Sequence, residues 1–179
     1  MESLFSTSQR IRILEAVIFR TGSVSVNNIA YQLGLSKGLV SKYFQILLNQ
    51  KILKQEKGRL VVSGSPSVRA IKILLNVHNI DARIFGKYPF VTAAGLYGSC
   101  ARGENTEDSD VDLWVRVRDV EETKLASLTS EINKKVKNAK LLILSDRKIE
   151  KFRKEDIMFY HSLSFGSIIL YGNMNAVQL

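Results

Sequence analysis

Two aspartates, Asp110 and Asp112, follow a Gly98-Ser99 pair in the stretch GSCARGENTEDSDVDL. Side chains on an extended chain alternate faces, so these carboxylates point the same way, about 7 Å apart along the strand. No Lys or Arg adjoins them in sequence. Paired carboxylate oxygens are hard ligands suited to Mg²⁺. A tight Gly-Ser turn beside them offers backbone N–H groups and a hydroxyl to phosphate oxygens. A metal next to a phosphate cradle suits the movement of a phosphoryl or nucleotidyl group.

Two strands must hold this stretch. Phe90 to Tyr97 reads as a strand leading into the turn, and Asp110 opens a second that runs to Val117. On the second strand Asp110, Asp112, Trp114 and Arg116 share one face, and Val111, Leu113, Val115 and Val117 line the core face. Trp114 either floors the site or covers apolar surface farther along the sheet. Cys100 reads as a small packed residue, since no His lies near it in sequence. Arg102 has two readings, a phosphate contact or an ion pair with Glu104 or Glu107.

The order strand, G-S-x-A-R-G, polar turn, S-D-x-D-L, apolar strand resembles the signature of the DNA polymerase beta-like nucleotidyltransferases, in particular their minimal branch. The matching positions are Gly98, Ser99, Arg102, Gly103, Ser109, Asp110, Asp112 and Leu113. The resemblance spans roughly Ser67 to Leu179. It implies that Asp110 and Asp112 hold two Mg²⁺ ions and serve catalysis, and that Gly98, Ser99, Arg102, Gly103 and Ser109 bind the nucleotide. An acceptor hydroxyl would then attack the α-phosphorus of an NTP and release pyrophosphate. The family also implies a third carboxylate on the next strand. That strand reads AKLLILS, with Leu141, Leu142 and Ile143 at its centre and Asp146 beyond its end. Asp146 reaches in from an irregular strand end, a Glu elsewhere substitutes, or the third ligand is absent.

The chain has 179 residues, 45% of them hydrophobic, enough for one domain or two small ones. One cysteine excludes an internal disulfide framework and suits a reducing cytoplasm. With two distant His, it also argues against zinc. No apolar run approaches the ~20 residues of a membrane span, and the N-terminus does not read as a signal peptide. The net charge is +9. Residues 1–64 carry nine Lys/Arg against three Asp/Glu, so the excess lies toward the N-terminus and suggests a polyanionic partner.

That N-terminal part reads as three helices and a hairpin. Ser6 to Arg20 forms the first helix, with Ser6 or Ser8 as cap and Ile11, Leu14, Ala16, Val17 and Ile18 as its apolar stripe. Val24 to Leu33 follows, capped by Ser25, and Gly34 makes a sharp turn. Ser36 caps a third helix to about Gln50, with Val40, Phe44, Leu47 and Leu48 buried. Ile52 to Glu56 and Arg59 to Val62 flank a Lys57-Gly58 turn. The pattern over residues 4–63 resembles a winged helix-turn-helix domain. Its exposed polar residues Ser36, Lys37, Ser41, Lys42 and Gln45 suit a major groove, with Lys54, Lys57 and Arg59 on neighbouring backbone. The other reading is a solvated face on a docking or dimerisation module.

The sequence predicts an α/β (α+β) fold in two parts: a winged helix-turn-helix over 1–64, and a nucleotidyltransferase-like domain with a mixed sheet over 65–179, joined by a helix at 67–80. A small Pro-containing stretch, Gly64-Ser65-Pro66-Ser67, marks the boundary. His78 and His161 read as structural residues, and the tail after a Ser167–Tyr171 strand reads as loose. Expected partners are DNA or RNA, a nucleotide, a second copy of the chain, and a HEPN-type protein, since the minimal branch often pairs with one; no membrane is expected. Two functions stand. One is a Mg²⁺-dependent transferase placing a nucleoside monophosphate on a macromolecular acceptor. The other is a degenerate, nucleotide-sensing DNA-binding regulator or antitoxin-like protein.

Overall fold

The structure, a computed structural model, describes residues 2–172, with side chains from Leu4 onward. The tail expected to be loose lies, from residue 173, outside the described residues. Contacts divide the chain into two compact units. One runs to Leu75 and takes in Asn105–Asp108; the other holds Asn76–Glu104 and the chain from Ser109.

The first unit opens with a short helix, α1 (Glu2–Phe5), that shows no periodic signal in sequence. Helix α2 (Ser8–Ile18) is capped by Thr7, whose side chain accepts from the Arg10 amide, rather than by Ser6 or Ser8. Its inward side is Ile13, Leu14, Val17 and Ile18. Helix α3 (Val26–Leu33) takes Ser25 as its cap and stops at Gly34, which adopts a left-handed φ of 64°. Ser36 caps α4 (Lys37–Asn49), where Val40, Tyr43, Phe44 and Leu47 are buried. Tyr43 joins this core, where Leu48 was expected, because its hydroxyl donates to the Leu4 carbonyl at 2.9 Å. A buried phenol needs such a partner. Strands β1 (Leu53–Glu56) and β2 (Arg59–Val62) pair antiparallel around Lys57 and Gly58, both at positive φ, as a two-residue hairpin requires.

The Gly64-to-Ser67 stretch opens a helix. Ser65 Oγ accepts from the Val68 amide, and Pro66 begins α5 (Pro66–His78), where its missing N–H costs nothing. A short helix, α6 (Arg83–Gly86), follows before the first strand of the second unit.

The second unit is built on four strands: β3 (Val91–Leu96), β4 (Val111–Val117), β5 (Ala139–Leu144) and β6 (Ile168–Tyr171), in the order β5-β4-β3-β6. Strand β4 runs parallel to β5, and β3 runs antiparallel to both its neighbours, so the sheet is mixed. Helix α7 (Gly98–Arg102) joins β3 toward β4. Helix α8 (Glu122–Lys135) makes the crossover to β5, and α9 (Asp146–Glu155) and α10 (Ile157–Gly166) lead to β6. Leu128 and Ile132 of α8 pack with Leu96, Leu113, Val115 and the buried Cys100 on one face. Ile149 of α9 and Leu163 of α10 pack with Ala93, Trp114 and Leu144 on the other. Both faces are covered, so the interior strands β3 and β4 are mostly apolar, with Thr92, Asp112 and Arg116 as the exceptions. A bulge between Val91 and Ala93 resets the alternation, which lets Val91 and Ala94 share one face.

Candidate functional site

Tyr97 leaves β3 and hands the chain to Gly98, whose φ of 68° lies in the left-handed region that glycine enters without penalty. A second reason for glycine is contact: a Cβ here would collide with the Asp112 carboxylate oxygen. The turn and the second aspartate are therefore packed together, and a side chain at position 98 would push the carboxylate away. Ser99 is half-buried on α7, and Gly103 ends that helix with a φ of 66°. Asp110 lies just before β4, and Asp112 is its second residue. The Cys100 thiol donates to the Asp110 carbonyl at 3.4 Å. Burial, then the charge of Asp112, pushes that thiol up to about 11, so it braces the turn and is poorly suited to act as a nucleophile.

Burial and the neighbouring charge of Asp110 raise the Asp112 carboxyl above its ordinary range, against the pull of Lys140 and Arg102. Burial and the charge of Asp112 raise the Tyr97 phenol in turn. Arg102 lies near the pair, but its guanidinium Nε is 2.8 Å from Glu104. Glu107 is engaged elsewhere, with Arg20 at 2.6 Å. Ser109 is half-buried beside Asp110.

Lys140 is the residue that sequence reasoning missed. Strand pairing sets it directly opposite Asp112, and its ammonium lies 2.6 Å from Asp110. A parallel register across a helical crossover cannot be read from sequence; the signal available was the alternation Lys140, Leu142, Leu144 in AKLLILS. Asp146 does not fill the place of a third carboxylate. It begins α9, beyond the far end of β5, and pairs with Arg116 at 2.9 Å. Arg116 lies four residue steps along the strand from Asp112, about 13 Å. Among the described residues no group of three or more His, Cys, Asp or Glu is placed to hold a metal ion. Asp110 and Asp112 are two hard oxygen donors on alternate positions, and they fit one oxygen-ligated divalent cation that would compete with Lys140 for Asp110. They do not supply the three carboxylates expected around two.

Trp114 does not floor this site. It is fully buried, its indole N–H donates to Ser167 Oγ at 2.9 Å, and it packs beneath α9 and α10. His161 is exposed and stacks on Phe165.

In the first unit Ser36, Lys37, Ser41, Lys42 and Gln45 are all exposed on α4, as are Lys54, Lys57 and Arg59 on the hairpin. Ser36 is already spent on its own helix, accepting from the Leu39 amide. Lys54 pairs with Glu56 at 3.2 Å. No helix among the described residues is long and apolar enough to cross a membrane.

No curated protein matches the chain. Solved structures that resemble it do so loosely. A toxin–antitoxin MntA–HpeT mutant is 14% identical over 54% of this chain and 77% of its own, with a TM-score of 0.41. A tri-AMPylated Shewanella oneidensis HEPN toxin in complex with MNT antitoxin matches at 16% identity over 57% and 75%, with a TM-score of 0.38. A nucleotidyltransferase-like structure from Sulfolobus solfataricus is 16% identical over 62% and 91%, also at 0.38. Residues 81–173, just over half of the chain, match the family described as polymerase beta, nucleotidyltransferase. That stretch contains the Gly98 turn, both aspartates and the whole four-stranded sheet; the chain belongs to the polymerase beta nucleotidyltransferase family.

Proposed function

We propose that this protein moves a nucleoside monophosphate from an NTP to a macromolecular acceptor, and that its N-terminal unit is a winged helix-turn-helix that binds nucleic acid. The observation that carries the reading is the packing of Gly98 against Asp112, beside Asp110, in a chain of this family. Asp110 and Asp112 would hold Mg²⁺, which when bound neutralises phosphate charge and favours displacement at phosphorus. Ser99, with the Gly98 and Gly103 backbone, would steady the outer phosphates. Arg102 would add charge once released from Glu104, and Ser109 would orient the aspartate loop. The acceptor hydroxyl oxygen bonds to the α-phosphorus, the bond from that phosphorus to the pyrophosphate oxygen breaks, and the hydroxyl proton passes to water. In the first unit, Lys37, Lys42, Lys54, Lys57 and Arg59 would meet phosphates, with Ser36, Ser41 and Gln45 nearest base edges.

Lys140 favours a second reading. A cation stands on the neighbouring strand opposite Asp112, and that strand carries no carboxylate. A site so altered binds nucleotide more readily than it activates an acceptor, which suits a nucleotide-sensing regulator of transcription or an antitoxin-like protein. The two readings separate in one experiment. The protein is incubated with each α-³²P-labelled NTP and Mg²⁺, with cell extract and, separately, with a HEPN-type protein, and resolved on a gel. Label on protein or RNA that disappears in Asp110→Asn/Asp112→Asn supports transfer. Saturable nucleotide binding without label supports the regulator.

A further inference from the structure

Lys140 was given no contact with metal or nucleotide above, and its position is specific. It projects from β5 opposite Asp112, on a strand about 4.8 Å from β4. Its ammonium reaches past that partner to Asp110, at 2.6 Å. The other acid near this strand, Asp146, is tied to Arg116 at the opposite end.

We infer that Lys140 is a tethered cation of the carboxylate pair and takes the place of a second divalent ion, so that the site binds its nucleotide with a single divalent cation. The inference rests on the nucleotide site proposed above. Charge makes it coherent. Two carboxylates, one ammonium and one divalent ion present one net positive charge to a triphosphate. Three carboxylates with two divalent ions present the same. Replacing an acid by a lysine thus conserves the charge offered to the ligand while removing the need for one metal. An ammonium differs from a metal ion in what it does next. It neutralises charge and donates hydrogen bonds, but it cannot coordinate a hydroxyl and activate it as a bound metal ion does. The lysine side chain is 66% exposed, so both its substitution and its movement toward a phosphate are open to it without disturbing the core.

The test counts bound Mn²⁺, an EPR-visible substitute for Mg²⁺, on the full chain with a non-hydrolysable ATP analogue. Wild type is expected to hold one ion per chain. Lys140→Asp, which places an acid opposite Asp112, is expected to hold two. Lys140→Met, measured with Mn²⁺ alone, is expected to bind the ion several-fold more tightly than wild type, because the competing ammonium is gone. Two ions in wild type, one ion in Lys140→Asp, or unchanged Mn²⁺ affinity in Lys140→Met would each overturn the inference. Failure of the underlying site looks different: Mn²⁺ retention and analogue binding would be the same in wild type and in Asp110→Asn/Asp112→Asn. In that event the site reading falls, and the role of Lys140 with it.

Discussion

Burial and the charge of Asp110 both hold the Asp112 carboxyl above its ordinary range. An acid with a raised folded pKa keeps its proton more tightly in the folded chain than in the unfolded one. Its ionisation therefore works against folding above the carboxylate range, and the effect fades as pH falls and the group protonates in both states. Asp112→Asn is accordingly expected to raise the Tm at pH 7 in the absence of ligand. The gain should shrink toward zero below about pH 4, where the wild-type carboxyl is also neutral. Thermal melts of both proteins across pH check this; a lower Tm at pH 7 would contradict it. Gly98 makes the complementary case. Gly98→Ala forces a side chain into a left-handed φ, at about 1–2 kcal/mol, and drives its Cβ onto the Asp112 carboxylate. The variant should lose stability by at least that amount in denaturant melts, and it should lose nucleotide affinity because the carboxylate has moved.

Strands β3 and β4 position the aspartates, and their seam is tight at one pair. Gly95 lies opposite Trp114, whose ring fills the space where a Cβ would go, with ring carbons 2.5 Å away. Gly95→Ala is expected to cost about 1–3 kcal/mol, as overpacked cores do. Adding Trp114→Leu should recover part of that loss, and a double-mutant cycle showing no coupling would contradict the packing. The same seam shows what was legible in the sequence. The turn, the spacing of the aspartates and the alternation along β4 are local, and a local pattern carries its own geometry. The caps at Ser25 and Ser36 and the Lys57-Gly58 turn were legible for the same reason. Thr7 in place of Ser6 or Ser8 was a choice among adjacent capping residues that propensity does not separate. Helices α1 and α6, four residues each, are too short to show a period. Trp114 and Lys140 were beyond local reading. What buries the tryptophan is α9 and α10, and what brings the lysine to Asp110 is a parallel register closed across α8.

Across the molecule, charge separates by region: residues 1–64 hold nine cationic and three acidic side chains within a total of +9. If the exposed α4 face meets a duplex, each phosphate contact contributes about 0.9 to the log–log dependence of affinity on salt. Lys37→Ala/Lys42→Ala should weaken duplex binding and flatten that slope by up to about 1.8. An unchanged slope would take α4 off the nucleic acid while leaving the nucleotide site untouched. That site bears the whole functional reading, and calorimetric titration of the full chain with a non-hydrolysable ATP analogue, with and without Mg²⁺, tests it most directly. The expected result is saturable, Mg²⁺-dependent binding that vanishes in Asp110→Asn/Asp112→Asn. Binding of equal strength in that variant, or no binding in wild type, would contradict the assignment of the aspartate pair.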